Sequence, residues 1–253
     1  MTTDTNGDEP MPAEEQLTAA DTKTVALVTG ANKGLGRETV RRLSERGWRV
    51  FLAARDRERG TRAADALGAE FVQLDVTSDD SVAAAAETVA RRAGRLDVLV
   101  NNAGVGGQRL DPADMGADRL RVLYEANVFG PVRVTHAFLP LLRKSGHPRI
   151  VMVSSALASL TYAGDPARPE SGRLSLDYAS SKTALNMIVS QYARALPGFK
   201  VNAADPGNPA TDMNQHTGMH TVAEAAESVI RLATLDREGP TGGFFDRNGP
   251  VPW

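Results

Sequence analysis

Three side chains with complementary chemistry lie in the second half of the chain. Tyr178 and Lys182 are four positions apart in a segment with a helical pattern, so both lie on one helix face. A phenol with a pKa of about 10 is a poor acid–base catalyst at neutral pH, but a neighbouring ammonium lowers that pKa. Ser155 ends an apolar strand pattern, where its hydroxyl can hold a substrate oxygen. Together they predict proton transfer to or from a carbonyl or alcohol oxygen. The Tyr-x-x-x-Lys pair alone more often marks two helix-surface residues.

A glycine-rich turn follows the first apolar run. It has the spacing Gly-x-x-x-Gly-x-Gly and leads into a helical pattern. Glycines let the backbone turn tightly beside a pyrophosphate, and the helix N-terminus offers free N–H groups and a positive dipole end. No Gly-Lys-Ser/Thr follows, which excludes a P-loop. Because the turn opens a series of alternating strands and helices, we expect a dinucleotide to contact Gly30, Asn32, Lys33, Gly34, Leu35 and Gly36.

The choice between NADP and NAD depends on the residue after the second strand. An Arg at this point accommodates a ribose 2′-phosphate, whereas an acid bonds the 2′-hydroxyl. Arg55 occupies it, nineteen positions after Gly36, and Lys33 adds a second positive charge. These two cations predict NADP. Asp56 leaves NAD open, because it becomes the critical residue if the strand ends one position later.

The elements that must position these residues alternate between strand and helix. The strands are apolar on both faces, which predicts a parallel sheet covered by helices on both sides. The fold class is therefore α/β, a doubly wound Rossmann-type sheet in a single domain over residues 23–253. Residues 1–22 hold six acids and no Lys or Arg and are predicted to form a disordered tail. Residues 157–177 lack periodicity and form either a substrate-facing loop or a tolerated surface insertion.

Composition excludes several classes of function. The chain has 253 residues, a net charge of −2 and no cysteine, so disulfides and thiol chemistry are excluded. The basic excess outside residues 1–22 is too mild and dispersed for nucleic-acid binding. No apolar run or leader pattern predicts a membrane span or secretion, so we expect a cytoplasmic protein.

His216 and His220 are four apart but have no evident third ligand, so no metal site is expected.

Ordered motifs identify a family resemblance. The chain resembles the classical short-chain dehydrogenase/reductase family, and within it the carbonyl-reductase-like branch. That branch is indicated by ANKGLG, AARD, DPG-x-x-x-TDM and a terminal Trp. The family motifs are TGANKGLG at 29–36, Asp75 after the third strand, NNAG at 101–104, Asn127, the serine pair at 154–155, YASSK at 178–182 and PG at 206–207.

The resemblance implies a role for each matching residue. Tyr178 would be the general acid/base, Lys182 would lower its pKa and hold the nicotinamide ribose, Ser155 would orient the carbonyl, and Asn127 would maintain a proton relay. Thr211 would bond the carboxamide. The remaining cofactor contacts would be Asp75 and Val76 beside the adenine, Asn102, Ala103 and Gly104 along the dinucleotide, and Pro206 and Gly207.

The expected activity is reversible, NADPH-dependent reduction of a ketone or aldehyde to an alcohol. One alternative is an NAD-dependent alcohol dehydrogenase. Another is an NADP-sensing binding module without turnover, which is disfavoured because such proteins typically lose the Tyr or the Lys. The 23 residues from Ser155 to Tyr178 exceed the family's usual dozen. An insertion there can cover the surface through which family members pair, so we expect a monomer or homodimer rather than a tetramer.

Overall fold

The computed structural model describes residues 23–107 and 110–253, and the predicted tail at 1–22 lies outside them. Within the described residues, one sheet has the strand order β3-β2-β1-β4-β5-β6-β7, and every neighbouring pair is parallel. The chain runs outward from β1 to β3 and then returns to the other side of β1, which confirms the doubly wound Rossmann-type fold. The strands are β1 (Val25–Thr29), β2 (Arg49–Ala54), β3 (Glu70–Gln73), β4 (Val98–Asn101), β5 (Arg149–Val153), β6 (Lys200–Ala204) and β7 (Phe244–Phe245).

Helices cover both faces of this sheet. A π-helical turn (Glu125–Phe129) joins the fourth helix to the fifth. Short 3-10 turns follow β5 at Ala156–Ala158 and β6 at Asp212–Asn214. The helices are α1 (Gly34–Glu45), α2 (Arg57–Asp65), α3 (Asp79–Ala93), α4 (Ala117–Tyr124), α5 (Gly130–Leu142), α6 (Leu160–Ala163), α7 (Leu176–Ala195) and α8 (Val222–Ala233).

The core consists of two clusters, one on each face. Alternate strand residues such as Leu27 and Phe51 pack with Phe138 of α5 on one side. Their neighbours, among them Val28, pack with Leu43 of α1 on the other. Because both faces are buried, strand residues are apolar at successive positions, as the sequence indicated.

Two segments differ in detail from their sequence patterns. The helical stretch before β5 is divided by the π-helical turn, so that α4 ends at Tyr124 and α5 ends at Leu142. The aperiodic segment 157–177 is not structureless, since it contains α6, whose first turn is capped by the Ser159 hydroxyl. Four-residue helices of this kind are too short to show a hydrophobic period. Among the described residues, no helix has the length and apolar character needed to cross a membrane.

Candidate active site

One large cleft of about 1840 Å³ opens at the carboxyl ends of the strands. This is the edge at which doubly wound sheets bind ligands. The structure brings almost all of the predicted site residues into its lining, from the glycine turn to the turn after β6. The exceptions are Gly36 and Asn127, which lie buried behind the lining.

The glycine turn has the backbone geometry that its composition predicts. Gly30 and Gly34 have φ values of +62° and +54°, in the left-handed region that favours glycine. A Cβ atom on Gly30 would lie 2.8 Å from Cα of Ala103, and one on Gly36 would lie 2.5 Å from the amide nitrogen of Asn102. Both positions therefore require glycine so that the turn can pack against the loop after β4.

The N-terminus of α1 opens into the same cleft. Lys33 occupies the N-cap position, but no side chain caps the helix there, and Gly34 and Leu35 of the first turn line the cleft. Uncapped N–H groups and the helix dipole together attract a phosphate. The turn and this helix end fit the pyrophosphate of a dinucleotide.

Thr29, which had no predicted role, joins the glycine turn to the loop after β4. Its hydroxyl accepts hydrogen bonds from the backbone N–H groups of Asn102 (3.0 Å) and Ala103 (2.9 Å). The Asn102 amide in turn donates to the Thr29 carbonyl at 2.8 Å. The signal for this role was a hydroxyl residue at the end of a buried strand, directly before the glycine turn.

The cations predicted to face a 2′-phosphate differ in their contacts. The Arg55 side chain is 80% exposed, with its Nε 4.0 Å from a carboxylate oxygen of Asp75. Lys33 is instead paired with Asp212, at 2.7 Å between Nζ and Oδ2, and this bond lowers the pKa of Asp212. Arg59 also lines the cleft, paired with Asp56 at 3.5 Å, and was not among the predicted site residues. Arg59 lies in the first turn of α2 and Arg55 lies before its N-cap, so helical spacing gave no signal for this pair.

Asp56 has a local structural role. Its Oδ1 accepts the backbone N–H of Arg59 at 2.9 Å, which makes Asp56 the N-cap of α2. A capping carboxylate satisfies an otherwise unpaired helix N–H. The arrangement therefore explains an acid at this position without a contact to ribose.

Ser155 and Tyr178 form the reacting pair. The two hydroxyls interact in the cleft, although they come from the turn after β5 and from α7. Burial raises the pKa of Tyr178 to about 12, the hydrogen bond with Ser155 opposes this shift, and the charge of Asp205 adds to it. The neighbouring Ser154 is distinct, because its buried hydroxyl bonds Asn186 at 2.6 Å.

Lys182 lies beneath the phenol. Its Nζ is 5.7 Å from the centre of the Tyr178 ring and donates to the Val153 carbonyl at 2.8 Å. Burial lowers the pKa of Lys182 to about 8. Burial raises the pKa of Tyr178, and the lowering of that pKa by the Lys182 ammonium stays a prediction.

Asn127 lies in the π-helical turn and bonds the loop after β4, which lines the cleft. Its side chain pairs with the backbone of Val105, accepting its N–H at 2.8 Å and donating to its carbonyl at 3.0 Å. Its amide also contacts the Ser181 hydroxyl at 3.2 Å. A Cβ atom on Gly104 would lie 3.0 Å from Asn127 Oδ1 and 3.6 Å from Lys182 Nζ, so these groups are close neighbours. A proton relay through Asn127 stays a prediction.

The turn after β6 closes the other side of the cleft. Gly207 has a φ of +69°, and a Cβ there would lie 2.9 Å from Nδ1 of His220. Thr211 lies against the glycine turn, with its methyl group 3.6 Å from a Cβ built on Gly34. His216 bonds Asp212 at 2.9 Å. In the described residues, no group of three or more potential metal ligands occurs.

Comparison with known proteins shows which family combines these features. The family model described as short chain dehydrogenase matches residues 24–221. The chain belongs to the short-chain dehydrogenase family. Members use a nicotinamide cofactor, which agrees with the fit of the glycine turn and α1 to a dinucleotide, and this chain is accordingly an oxidoreductase.

Relatives in this family are reductases and dehydrogenases. The chain is 35% identical to (+)-neomenthol dehydrogenase of Arabidopsis thaliana, over 90% of this chain and 98% of that protein. Salutaridine reductase of Papaver somniferum has a solved structure with a TM-score of 0.77 and 30% identity, covering 88% and 99% of the two chains. NADPH-bound carbonyl reductase from chicken fatty liver has a TM-score of 0.81 and 27% identity, covering 91% and 99%.

Proposed function

We propose that this short-chain dehydrogenase reduces the carbonyl of a ketone or aldehyde to an alcohol with NADPH. The observation that carries the proposal is that Ser155, Tyr178 and Lys182 line the same cleft as the glycine turn. One end of the cleft fits a dinucleotide, and the other presents two hydroxyls to a substrate oxygen.

The chemistry divides between cofactor and protein. NADPH held along the glycine turn and the N-terminus of α1 would supply a hydride for the carbonyl carbon, and the negative charge would then form on the carbonyl oxygen. Ser155 holds that oxygen by a hydrogen bond, and Tyr178 delivers the proton that completes the alcohol. With a pKa of about 12, the Tyr178 phenol is protonated at neutral pH and carries the proton that the reduced oxygen takes up. The Lys182 ammonium lies where it can bond a ribose hydroxyl.

NADP is favoured over NAD by the charges near the end of β2. Arg55 and Arg59 both line the cleft, and Arg55 is largely free to turn toward a phosphate. Asp56, the residue on which NAD dependence would rest, is committed to capping α2. The chicken carbonyl reductase with a similar fold was solved with NADPH bound.

The substrate side of the cleft favours a bulky apolar carbonyl compound. Large apolar side chains from three separate segments are exposed where they line the cleft, namely Val105, Leu110, Leu174, Met213 and Met219. Exposed apolar groups gathered in one cavity indicate an apolar ligand. The relatives named above include a neomenthol dehydrogenase and a salutaridine reductase.

A cofactor-depletion assay tests this function. Apolar cyclic ketones, linear ketones and aldehydes are supplied with NADPH and, in parallel, with NADH, and cofactor absorbance is followed. We expect turnover of cyclic ketones with NADPH at least tenfold faster than with NADH. Equal use of NADH would support the NAD-dependent alternative. Binding of NADPH without turnover of any carbonyl compound would support the binding-module alternative.

A further inference from the structure

Three polar side chains occupy one face of α7, and the chemistry above uses only two of them. Tyr178, Lys182 and Asn186 follow one another at intervals of four residues, so they lie in a row along the helix. Asn186 is 3% exposed and does not line the cleft. Its amide oxygen accepts the hydroxyl of Ser154 at 2.6 Å, and Ser154 is itself buried. This bond joins α7 to the residue directly before Ser155.

Ser154 is fixed to the sheet by its backbone. Its N–H donates to the Ala204 carbonyl of β6 at 2.7 Å, one step beyond the last paired residue of β5. The Lys182 ammonium bonds the carbonyl of the preceding residue, Val153, at 2.8 Å. Consecutive residues at the end of β5 are therefore bonded to successive turns of α7. The ammonium is also expected to hold a ribose hydroxyl, whereas the bond between Ser154 and Asn186 lies wholly within the protein.

An amide at position 186 is not explained by core packing. Its neighbours Leu185 and Val189 on α7 are buried in the apolar core. The Asn186 amide nitrogen is buried without a hydrogen-bond partner in the part of the chain that the structure describes. A buried unpaired donor lowers stability, and an apolar side chain of similar shape avoids that loss. The amide oxygen bonded to Ser154 is thus what distinguishes asparagine from leucine here.

We propose that Asn186 is a positioning residue, which through Ser154 sets the place of α7 against the end of β5 and so places the Tyr178 phenol beside Ser155. Asn186 touches neither substrate nor cofactor in this role. Misplacement of a reacting group by about 1 Å costs on the order of a hundredfold in rate, so a bond that fixes the helix affects turnover. The proposal rests on the proposed function for its effect on kcat, while the place of Tyr178 can be measured without turnover.

The test compares Asn186→Leu, Ser154→Ala and the double variant. Leucine branches at the same atom as asparagine and has no acceptor, and alanine removes the hydroxyl. Because all three variants lack the same bond, we expect kcat to fall by about tenfold in each, with no further loss in the double variant. The NADPH dissociation constant should change less than about threefold, because the glycine turn, α1 and Lys182 are unaltered.

Thermal stability separates positioning from general damage. Ser154→Ala leaves the Asn186 amide entirely unpaired, so its Tm should be the lowest of the three. The double variant replaces both partners by apolar groups, so its Tm should recover toward that of the unmodified protein. We expect kcat to stay low in the double variant although its Tm recovers. Recovery of kcat together with Tm would show that the bond has a structural role alone and would overturn the proposal.

Tyrosine labelled with ¹³C at Cζ reports the surroundings of each phenol, and Tyr178→Phe assigns the signal of Tyr178. With NADPH bound at neutral pH, this signal should move by similar amounts in the three variants. A signal in Asn186→Leu that coincides with that of the unmodified protein overturns the proposal. The measurement needs no carbonyl substrate. If the unmodified protein reduces no carbonyl compound, the proposed function fails and the Tyr178 signal still decides the role of Asn186.

Thr135→Val is the matched control. The Thr135 hydroxyl accepts the Asn101 amide at 3.1 Å, a buried bond that joins α5 to β4 rather than α7 to β5. Its loss should lower Tm and leave kcat and the Tyr178 signal unchanged. If Ser154→Ala does not fold, Asn186→Leu and the double variant carry the same comparison. If no variant without the bond folds, its role is structural alone and the proposal is overturned.

Discussion

Lys182 on α7 is bonded to Val153, the last residue of β5, at 2.8 Å between its Nζ and the carbonyl oxygen. Val153 precedes Ser155 by two positions, so this bond ties the helix that carries Tyr178 to the strand that presents Ser155. The geometry of the reacting pair therefore depends on an ammonium that burial makes easier to deprotonate, with a pKa of about 8.

The pH dependence of carbonyl reduction follows from this pKa. Below pH 8 the Lys182 ammonium is charged and can hold a ribose hydroxyl, and as the pH rises through about 8 it loses that charge. We expect kcat/KM for NADPH to be level up to about pH 8 and to decline above it. Tyr178, with a pKa of about 12, stays protonated over this range and does not cause the decline. A profile that stays level to pH 10 would contradict the prediction.

Much of the fold was predictable from the sequence because the central strands are buried on both faces. Leu27 and Val28 are both apolar because each packs into a core cluster, one on each side of the sheet. The division of the long helix at Glu125–Phe129 was not predictable, because a π-helical turn depends on the tertiary contacts that hold Asn127.

The site was predictable where the residue types of a motif determine its local backbone conformation. Gly30 and Gly36 are required by close contacts that the glycine pattern already indicates. The raised pKa of Tyr178 and the pairing of Lys33 with Asp212 were not predictable. Both depend on groups distant in the chain, and a single sequence does not report burial or long-range pairs.

Cofactor preference should depend on Arg55. Replacing it by Asp places a negative charge where a 2′-phosphate is expected, so Arg55→Asp should raise KM for NADPH at least about tenfold, or 1.4 kcal/mol, and improve the use of NADH. Arg57→Asp is the control, since Arg57 bonds Gln73 at 2.8 Å and does not line the cleft. Arg57→Asp makes the same charge change two residues away. It should leave KM for NADPH and KM for NADH within about threefold of the values for the unmodified protein. If the two variants have similar effects, the net charge near the cleft decides the preference for NADPH, and a specific contact of Arg55 with the cofactor does not.

The oligomeric state should reflect the long segment before α7. This segment begins by packing on that helix, where the Thr183 hydroxyl donates to the Ala158 carbonyl at 3.0 Å. We expect it to interfere with the helix pairing on which a tetramer of the family depends, so that the protein is a monomer or homodimer. Light scattering coupled to size exclusion should give one or two times 26.9 kDa. A mass near four times that value refutes the prediction.

The most direct prediction concerns the phenol of Tyr178. Tyr178→Phe removes the hydroxyl that interacts with Ser155 in the cleft and leaves the ring in place. The proton donor is lost while the dinucleotide contacts remain, and general acid catalysis is typically worth about 10² to 10⁴-fold in rate. We therefore expect kcat to fall at least about a hundredfold, with the NADPH dissociation constant changed less than about threefold, or 0.7 kcal/mol.

Two comparison variants separate this loss from general damage to α7. Tyr192→Phe removes a hydroxyl from the same helix at a position that does not line the cleft, so kcat should be unchanged. Lys182→Ala should reduce both turnover and NADPH affinity, because the ammonium is expected to hold ribose as well as to tie α7 to Val153. Single-turnover rates and fluorescence titration with NADPH measure the two effects independently. If Tyr178→Phe keeps more than about a tenth of the activity on a good substrate, another group delivers the proton and the assigned mechanism is wrong.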